Sequence, residues 1–397
     1  MNRPIRLILA FAFFIVPLFP SFITLTAVTV PGVSLLPPPV TLTLMAIVFC
    51  MAIYGCIALR NSPPEPIPML WPLLGWLGVE IISLLLGFDP IGGALFITIF
   101  GFSVLWHVLI TRFYRLPGAA LLFYRAYLLS GALAALAAIA MVVTKIPAAE
   151  YTVGHGRAIG TFILPGELAG YLIIYLPLAF AIARVTKHRD VRILGIVGVA
   201  AGSIAFLMTF SRAGWMGLAV ALSFLMFTQM RRWRGRSALA VLAVTIAAIV
   251  LFFDAHHNPS ENYTRISIWQ AAVDMVKRFP FTGVGPFAFE RVYPLVRLPD
   301  GEPMAFHAHS FMLTIAAEMG MLGVVAVLFA WWRFIVILRN RIASADPVNA
   351  SLALAVAAGL LGTWVQGLID TVSVVIFGLW LPFMAIALCC AHDGLLE

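Results

Sequence analysis

Long apolar runs alternate with short polar breaks over most of the chain. A membrane-spanning helix needs about 20 mostly apolar residues, each rising about 1.5 Å. Runs of that kind occur at 7–30, 39–59, 69–87, 90–111, 120–143, 166–184, 191–210, 213–230, 237–253, 310–334, 349–371 and 373–391. The pattern predicts twelve spans in one integral membrane domain over 1–397. Pro37-Pro38-Pro39, Pro63-Pro64, Asp89-Pro90 and Asp346-Pro347 mark loops between them. Pro72 and Glu80 interrupt the run at 69–87. The first run, behind Arg3 and Arg6, is too long for the apolar core of a signal peptide, so an uncleaved span is expected. The one long connection, 254–308, contains a second kind of pattern. In Thr264–Phe279, Ile266, Trp269, Val273 and Val276 recur at three- and four-residue steps, and Pro280 follows. That spacing predicts an amphipathic helix lying on the membrane.

Composition agrees. Hydrophobic residues make up 62% and charged residues 11% of the 397, with a mean hydropathy of +1.02. Soluble domains carry about 45–50% apolar and about 25% charged residues, which excludes a soluble enzyme or a nucleic-acid-binding module. The net charge of +8 first serves topology. With the N-terminus inside, 17 of the 25 Lys and Arg fall at inner ends, including Arg231, Arg232, Arg234 and Arg236 in one short loop. Both termini are then expected in the cytoplasm and 254–308 in the periplasm. Cys50, Cys56, Cys389 and Cys390 lie in apolar stretches and form no CxxC pair. Glu80, Arg125 and Glu318 are the charges expected within the membrane.

Eight basic residues on the outer side are left without a topological role: Lys145, Arg157, Arg212, Arg265, Lys277, Arg278, Arg291 and Arg297. Arg212 follows Ser211 in a short turn between two spans, where a guanidinium either snorkels to lipid phosphate or offers its fork to a ligand phosphate. Arg265 is expected in the first turn of the surface helix, after the candidate caps Asn262 and Thr264, a place that favours an anion. Arg157 sits between Gly156 and Gly160, where the backbone can approach a bulky ligand. His307 and His309 precede the tenth span. A neutral imidazole there suits removal of a hydroxyl proton; an HxH pair completed by His256-His257 is the metal-binding alternative. Glu318, further along the same span, either orients this region or makes a helix contact. The chain has no Gly-rich phosphate loop, no Asp-x-Asp and no G-x-S-x-G elbow. A donor already activated and embedded in lipid is what these absences leave.

Four segments resemble the O-antigen ligase family, which also holds O-antigen polymerases and protein O-oligosaccharyltransferases. They are Gly160-Thr161-Phe162 with Leu168-Ala169, Phe210-Ser211-Arg212-Ala213-Gly214-Trp215, and Arg265-Ile266-Ser267-Ile268-Trp269 running into Pro280–Phe289. The fourth is His309-Ser310 followed nine residues later by Gly320-Met321-Leu322-Gly323. Val324 stands where the ligases usually have Gly, Thr or Tyr. The resemblance implies an all-α polytopic fold of the GT-C-like class of lipid-linked glycosyltransferases in the bacterial inner membrane. It implies a polysaccharide donor on undecaprenyl diphosphate, a lipid A–core acceptor and inversion at the anomeric carbon. It also implies no metal, cofactor, nucleotide or nucleic acid. Arg212 and Arg265 would hold the diphosphate with Arg157 beside them, and His309 would activate the acceptor hydroxyl. His307, Ser211 and Ser310 would support substrate binding. A polymerase shares the donor and differs in acceptor; a lipid or solute transporter is the alternative from another class.

Overall fold

A computed structural model describes residues 38–60, 66–114, 118–146, 148–162, 164–229, 260–343 and 346–370, with isolated positions at 7, 10, 239, 240, 243 and 246. The runs at 7–30, 237–253 and 373–391 lie outside these segments. All regular structure among the described residues is helical. The helices are α1 Pro38–Leu59, α2 Leu70–Leu85, α3 Pro90–Tyr114, α4 Ala119–Thr144, the short α5 Ala148–Val153, and α6 Pro165–Val185. They continue with α7 Arg189–Met208, α8 Arg212–Gln229, α9 Ser260–Arg278, α10 Phe289–Val296, α11 Phe311–Ile342 and α12 Pro347–Gly367. Six of them, α3, α4, α6, α7, α11 and α12, are long and apolar enough to cross a membrane. α2 and α8 are apolar but shorter. The chain is a multi-pass membrane protein.

Helix α6 is the hub. Nearly every residue from Pro165 to Ala183 is buried, because α4, α7, α8 and α12 all pack on it. Lipid tails are as apolar as leucine, so association between spans rests on close packing and on buried hydrogen bonds. Both are visible around Tyr175. Its ring fills the slots left by Gly131 of α4 and Gly198 of α7, and its hydroxyl donates to the Leu128 carbonyl at 2.8 Å. Arg125, expected within the membrane, instead pairs with Asp190 at 2.6 Å, and both side chains are about half exposed. Glu80 is fully buried on α2, near Glu318 on α11.

The run at 310–334 is one span in the sequence pattern, and the structure breaks it. Phe311 and Trp331 both pack on the Trp364 ring, with centroids at 5.5 and 4.8 Å. Twenty residues of straight helix would separate them by about 30 Å. α11 therefore folds back on itself at Gly320 (φ 62°, ψ −160°), so that Gly323 lies against Ile315. The limb after Gly320 runs the length of a span, while the short limb before it carries His309 at its tip. Residues 280–285 hold this bend: the N–H groups of Val284 and Gly285 donate to the carbonyls of Ala317 and Glu318 at 2.9 Å, and Met321 N–H donates to Pro280 O at 2.8 Å. Glu318 accepts from the N–H groups of Phe287 and Phe289, tying the bend to the start of α10.

The surface helix also departs from its expected form. It begins at Ser260, and its buried stripe is Ile268, Ala271, Ala272 and Met275, packed with Val284, Phe289, Tyr293 and Ala308 in a second, smaller core. Ile266 and Val273 from the expected apolar stripe are 50% and 39% exposed. The helix has two apolar sides, and the alanines permit the closer approach to protein. Gly283 (φ 67°) abuts the backbone of Glu318, where any Cβ would collide. Gly283→Ala should therefore cost about 3 kcal/mol or more, read as a lower unfolding temperature of the detergent-purified protein.

Candidate active site

The site is built at the end of the bundle where α6, α8 and the short limb of α11 begin and where α12 ends. The segment before α11 is locked locally. His309 adopts a left-handed conformation (φ 47°), uncommon for a side chain of its size. Its N–H donates to Nδ1 of His307 at 3.1 Å, and Ala308 N–H donates to the Thr314 hydroxyl at 3.1 Å. A neutral His307 that accepts through Nδ1 carries its proton on Nε2. Its ring packs edge-on to His309 with centroids 4.4 Å apart. His307 is a buried support, and His309 is the histidine it positions.

Burial holds both imidazoles below their ordinary value of 6.5, His307 well below it. The Arg265 guanidinium is close enough to push both down further, and for His307 the His309 ring adds to the effect. Asp370, just beyond the end of α12, acts in the opposite direction on His309. Both rings therefore favour the neutral form, and His309 lies within electrostatic reach of both the Asp370 carboxylate and the Arg265 guanidinium. That is a base ready to accept a proton.

Arg265 enters this group by a different route from the expected one. Because α9 starts at Ser260, Arg265 lies in the second turn, and its own backbone is no free helix terminus. From there the charge of its side chain acts on both histidines. Arg212 is the first residue of α8, and Ser211 caps that helix, its hydroxyl accepting from Gly214 N–H at 3.1 Å. The preceding residue, Phe210, is also left-handed (φ 46°), so the turn that presents Arg212 is held in a defined shape. Arg157 joins this turn through its neighbour: Ala158 N–H donates to the Met208 carbonyl at 2.9 Å. Ser310 is buried at the head of α11.

The structure thus makes two groups, Arg265–His307–His309 and Arg157–Arg212. The first turns of α6 bridge them. Ala169 packs against Gly214 of α8, Gly166 packs against the Asp370 carboxylate, and Gln366 donates to the Gly166 carbonyl at 2.8 Å. Asp370, Gln366 and the buried Glu167 escaped the sequence reading. Asp370 did leave a signal: it is a lone acid at the end of an apolar run, on the side where His309 is expected. Among the described residues, no three His, Cys, Asp or Glu side chains come together in a way that would hold a metal. His256 and His257, the other half of the metal alternative, lie outside the described residues.

Residues 197–328 match the family model described as O-Antigen ligase. That segment belongs to the O-antigen ligase family. It runs from the middle of α7 to just past the bend in α11 and carries Arg212, Arg265, His307 and His309. Members of this family are enzymes of lipopolysaccharide synthesis that act on lipid-linked polysaccharide, and the match supports that general kind of activity for the chain. None of the curated proteins matches the chain. Arg157 and Asp370 lie outside the matched segment, and the packing on α6 connects both to it.

Proposed function

We propose that the chain is an O-antigen ligase, which moves a polysaccharide from undecaprenyl diphosphate to a sugar hydroxyl of lipid A–core. In this reading the twelve-span protein belongs to the GT-C-like class and lies in the inner membrane with its site facing the periplasm. The observation that carries it is the partly buried His309, locked by His307 and within electrostatic reach of Asp370 and Arg265, at the bundle end that also presents Arg212 and Arg157. His309 takes the proton of the acceptor hydroxyl as that oxygen bonds to the anomeric carbon. The bond from that carbon to the diphosphate oxygen breaks, with inversion, and undecaprenyl diphosphate leaves. Arg212 and Arg265 bind the diphosphate and stabilise the charge that grows on it, which is usually a large part of catalysis in a poorly hydrated site.

The lipopolysaccharide gel profile of a deletion strain tests the acceptor. Loss of the whole ladder, with lipid-linked polymer still made, is expected. A single repeat left on core would instead assign the chain to the polymerases. Sidedness has its own test. In a cysteine-free background an impermeant thiol reagent should label Ser260→Cys from the periplasm and leave Ser344→Cys unlabelled; the reverse pattern would overturn the threading.

A further inference from the structure

The buried stripe of α2 contains Leu73, Trp76, Glu80 and Ser83, at three- and four-residue steps along one side of the helix. α2 packs on α11 and α3, and an apolar stripe would be enough for packing. The second half of this one is polar. The Ser83 hydroxyl is shared between the carbonyls of Thr282 and Glu318, at 2.5 and 2.9 Å. One turn further on, Gly87 lies against the backbone of Val284 and Gly285, and Phe88 N–H donates to the Val284 carbonyl at 2.8 Å. This end of α2 therefore grips both the 280–285 segment and the bend in α11 that the segment holds.

Glu80 lies one turn before Ser83 on the same side. It is fully buried, and neither of its carboxyl oxygens has a hydrogen-bond partner. Its charged neighbour is Glu318. Glu318, by contrast, accepts from the N–H groups of Phe287 and Phe289. Among the described residues neither acid has an ion-pair partner. Two carboxylates shut away from water with no cation beside them cannot both stay charged. Hydrogen bonds from two N–H groups favour the charge on Glu318, which leaves the proton to Glu80.

We infer that Glu80 is a positioning residue for His309: as a neutral acid it donates to the Glu318 carboxylate and fixes the base of the limb that carries His309 at its tip. The effect on transfer rests on the ligase reading, whereas the acid pair does not. From Phe311 to Met319 the limb is about 13 Å of helix. Glu318 ties its base to α10 on one side and, through Glu80, to α2 on the other. A rigid limb passes a displacement at its base on to its tip, and a shift of about 1 Å at a reacting group can cost about 10²-fold in rate.

The test uses the full chain in phospholipid nanodiscs. At neutral pH the infrared spectrum of wild type should contain the carbonyl band of a buried protonated carboxyl. Glu80→Gln should remove that band and Glu318→Gln should keep it; a band unchanged in Glu80→Gln would overturn the neutral acid. The amide of Glu80→Gln still donates to Glu318, so its transfer rate should stay close to wild type. Glu80→Met keeps the length of the side chain and loses the donor. Its kcat should fall by about 10- to 100-fold, with KM little changed because Arg212 and Arg265 are untouched. Wild-type kcat in Glu80→Met would overturn the positioning role, and equal loss in both variants would overturn the donor. The rate at which diethyl pyrocarbonate modifies His309 reads the limb without any substrate. It should change in Glu80→Met and not in Glu80→Gln, and the same rate in all three proteins would overturn the inference. Should Glu80→Met fail to fold, the infrared band and the Glu80→Gln rates still decide. Absence of transfer to lipid A–core by wild type, with the band and the His309 result as expected, would sink the ligase reading alone.

Discussion

Replacing His309 with alanine is expected to slow transfer by about 10²–10⁴-fold, the usual worth of a positioned general base, while donor binding persists. The persistence matters because Arg212 and Arg265 are untouched by the change. Retained transfer in His309→Ala would move the proton to water or to another group and leave the histidine a positioning role. His307→Ala should be milder, since His307 acts on the backbone of His309. The pH profile adds a readout that a purely structural role would not move. Burial and Arg265 depress the His309 pKa, so the neutral base survives acidification, and the rate should fall only below pH 6.5. Asp370 favours the imidazolium. Asp370→Asn should therefore lower the rate and shift this acid limb still lower, and an upward shift would refute the pairing. Transfer should also withstand EDTA. Inhibition by EDTA reversed by zinc would restore the metal alternative with His256, His257, His307 and His309.

What the sequence discloses and what it hides have separate physical causes. A span advertises itself through 20 apolar residues, so nine of the twelve expected runs correspond to described helices, most of them within two or three residues. The arginines of the candidate site stand out in the sequence for a similar reason: the expected positive-inside threading gives most cations a role and leaves these few without one. The bend at Gly320 was hidden, because both limbs of α11 are apolar and hydropathy has no term for direction. What makes it is a left-handed glycine together with hydrogen bonds from residues some 35 positions earlier. The buried face of α9 was hidden because two stripes compete, and alanines win by permitting close approach rather than by being hydrophobic. Asp370 shows the third cause. It reaches His309 only because α6 holds the end of α12 beside the short limb of α11, a contact between segments about sixty residues apart.

Arg212→Lys and Arg265→Lys are each expected to lose about 30- to 1000-fold in transfer with protein level unchanged. The figure follows from losing about 2–4 kcal/mol of charge-assisted hydrogen bonding in the transition state. Lysine retains the charge but not the planar fork that matches two phosphate oxygens at once. The fixed surroundings of both arginines make this loss hard to repair. Arg212 projects from the first residue of a capped helix behind a left-handed turn, and Arg265 from the second turn of a helix packed into its own small core. Neither backbone has room to bring a shorter-reaching ammonium to the same oxygens. The two variants should still differ in one respect. Arg265→Lys keeps a cation beside His309, so its acid limb should stay below pH 6.5 even as the rate drops, whereas Arg265→Gln should shift that limb upward. Near wild-type rates in both lysine variants would show that charge alone suffices, and the paired-fork account of diphosphate binding would have to be abandoned.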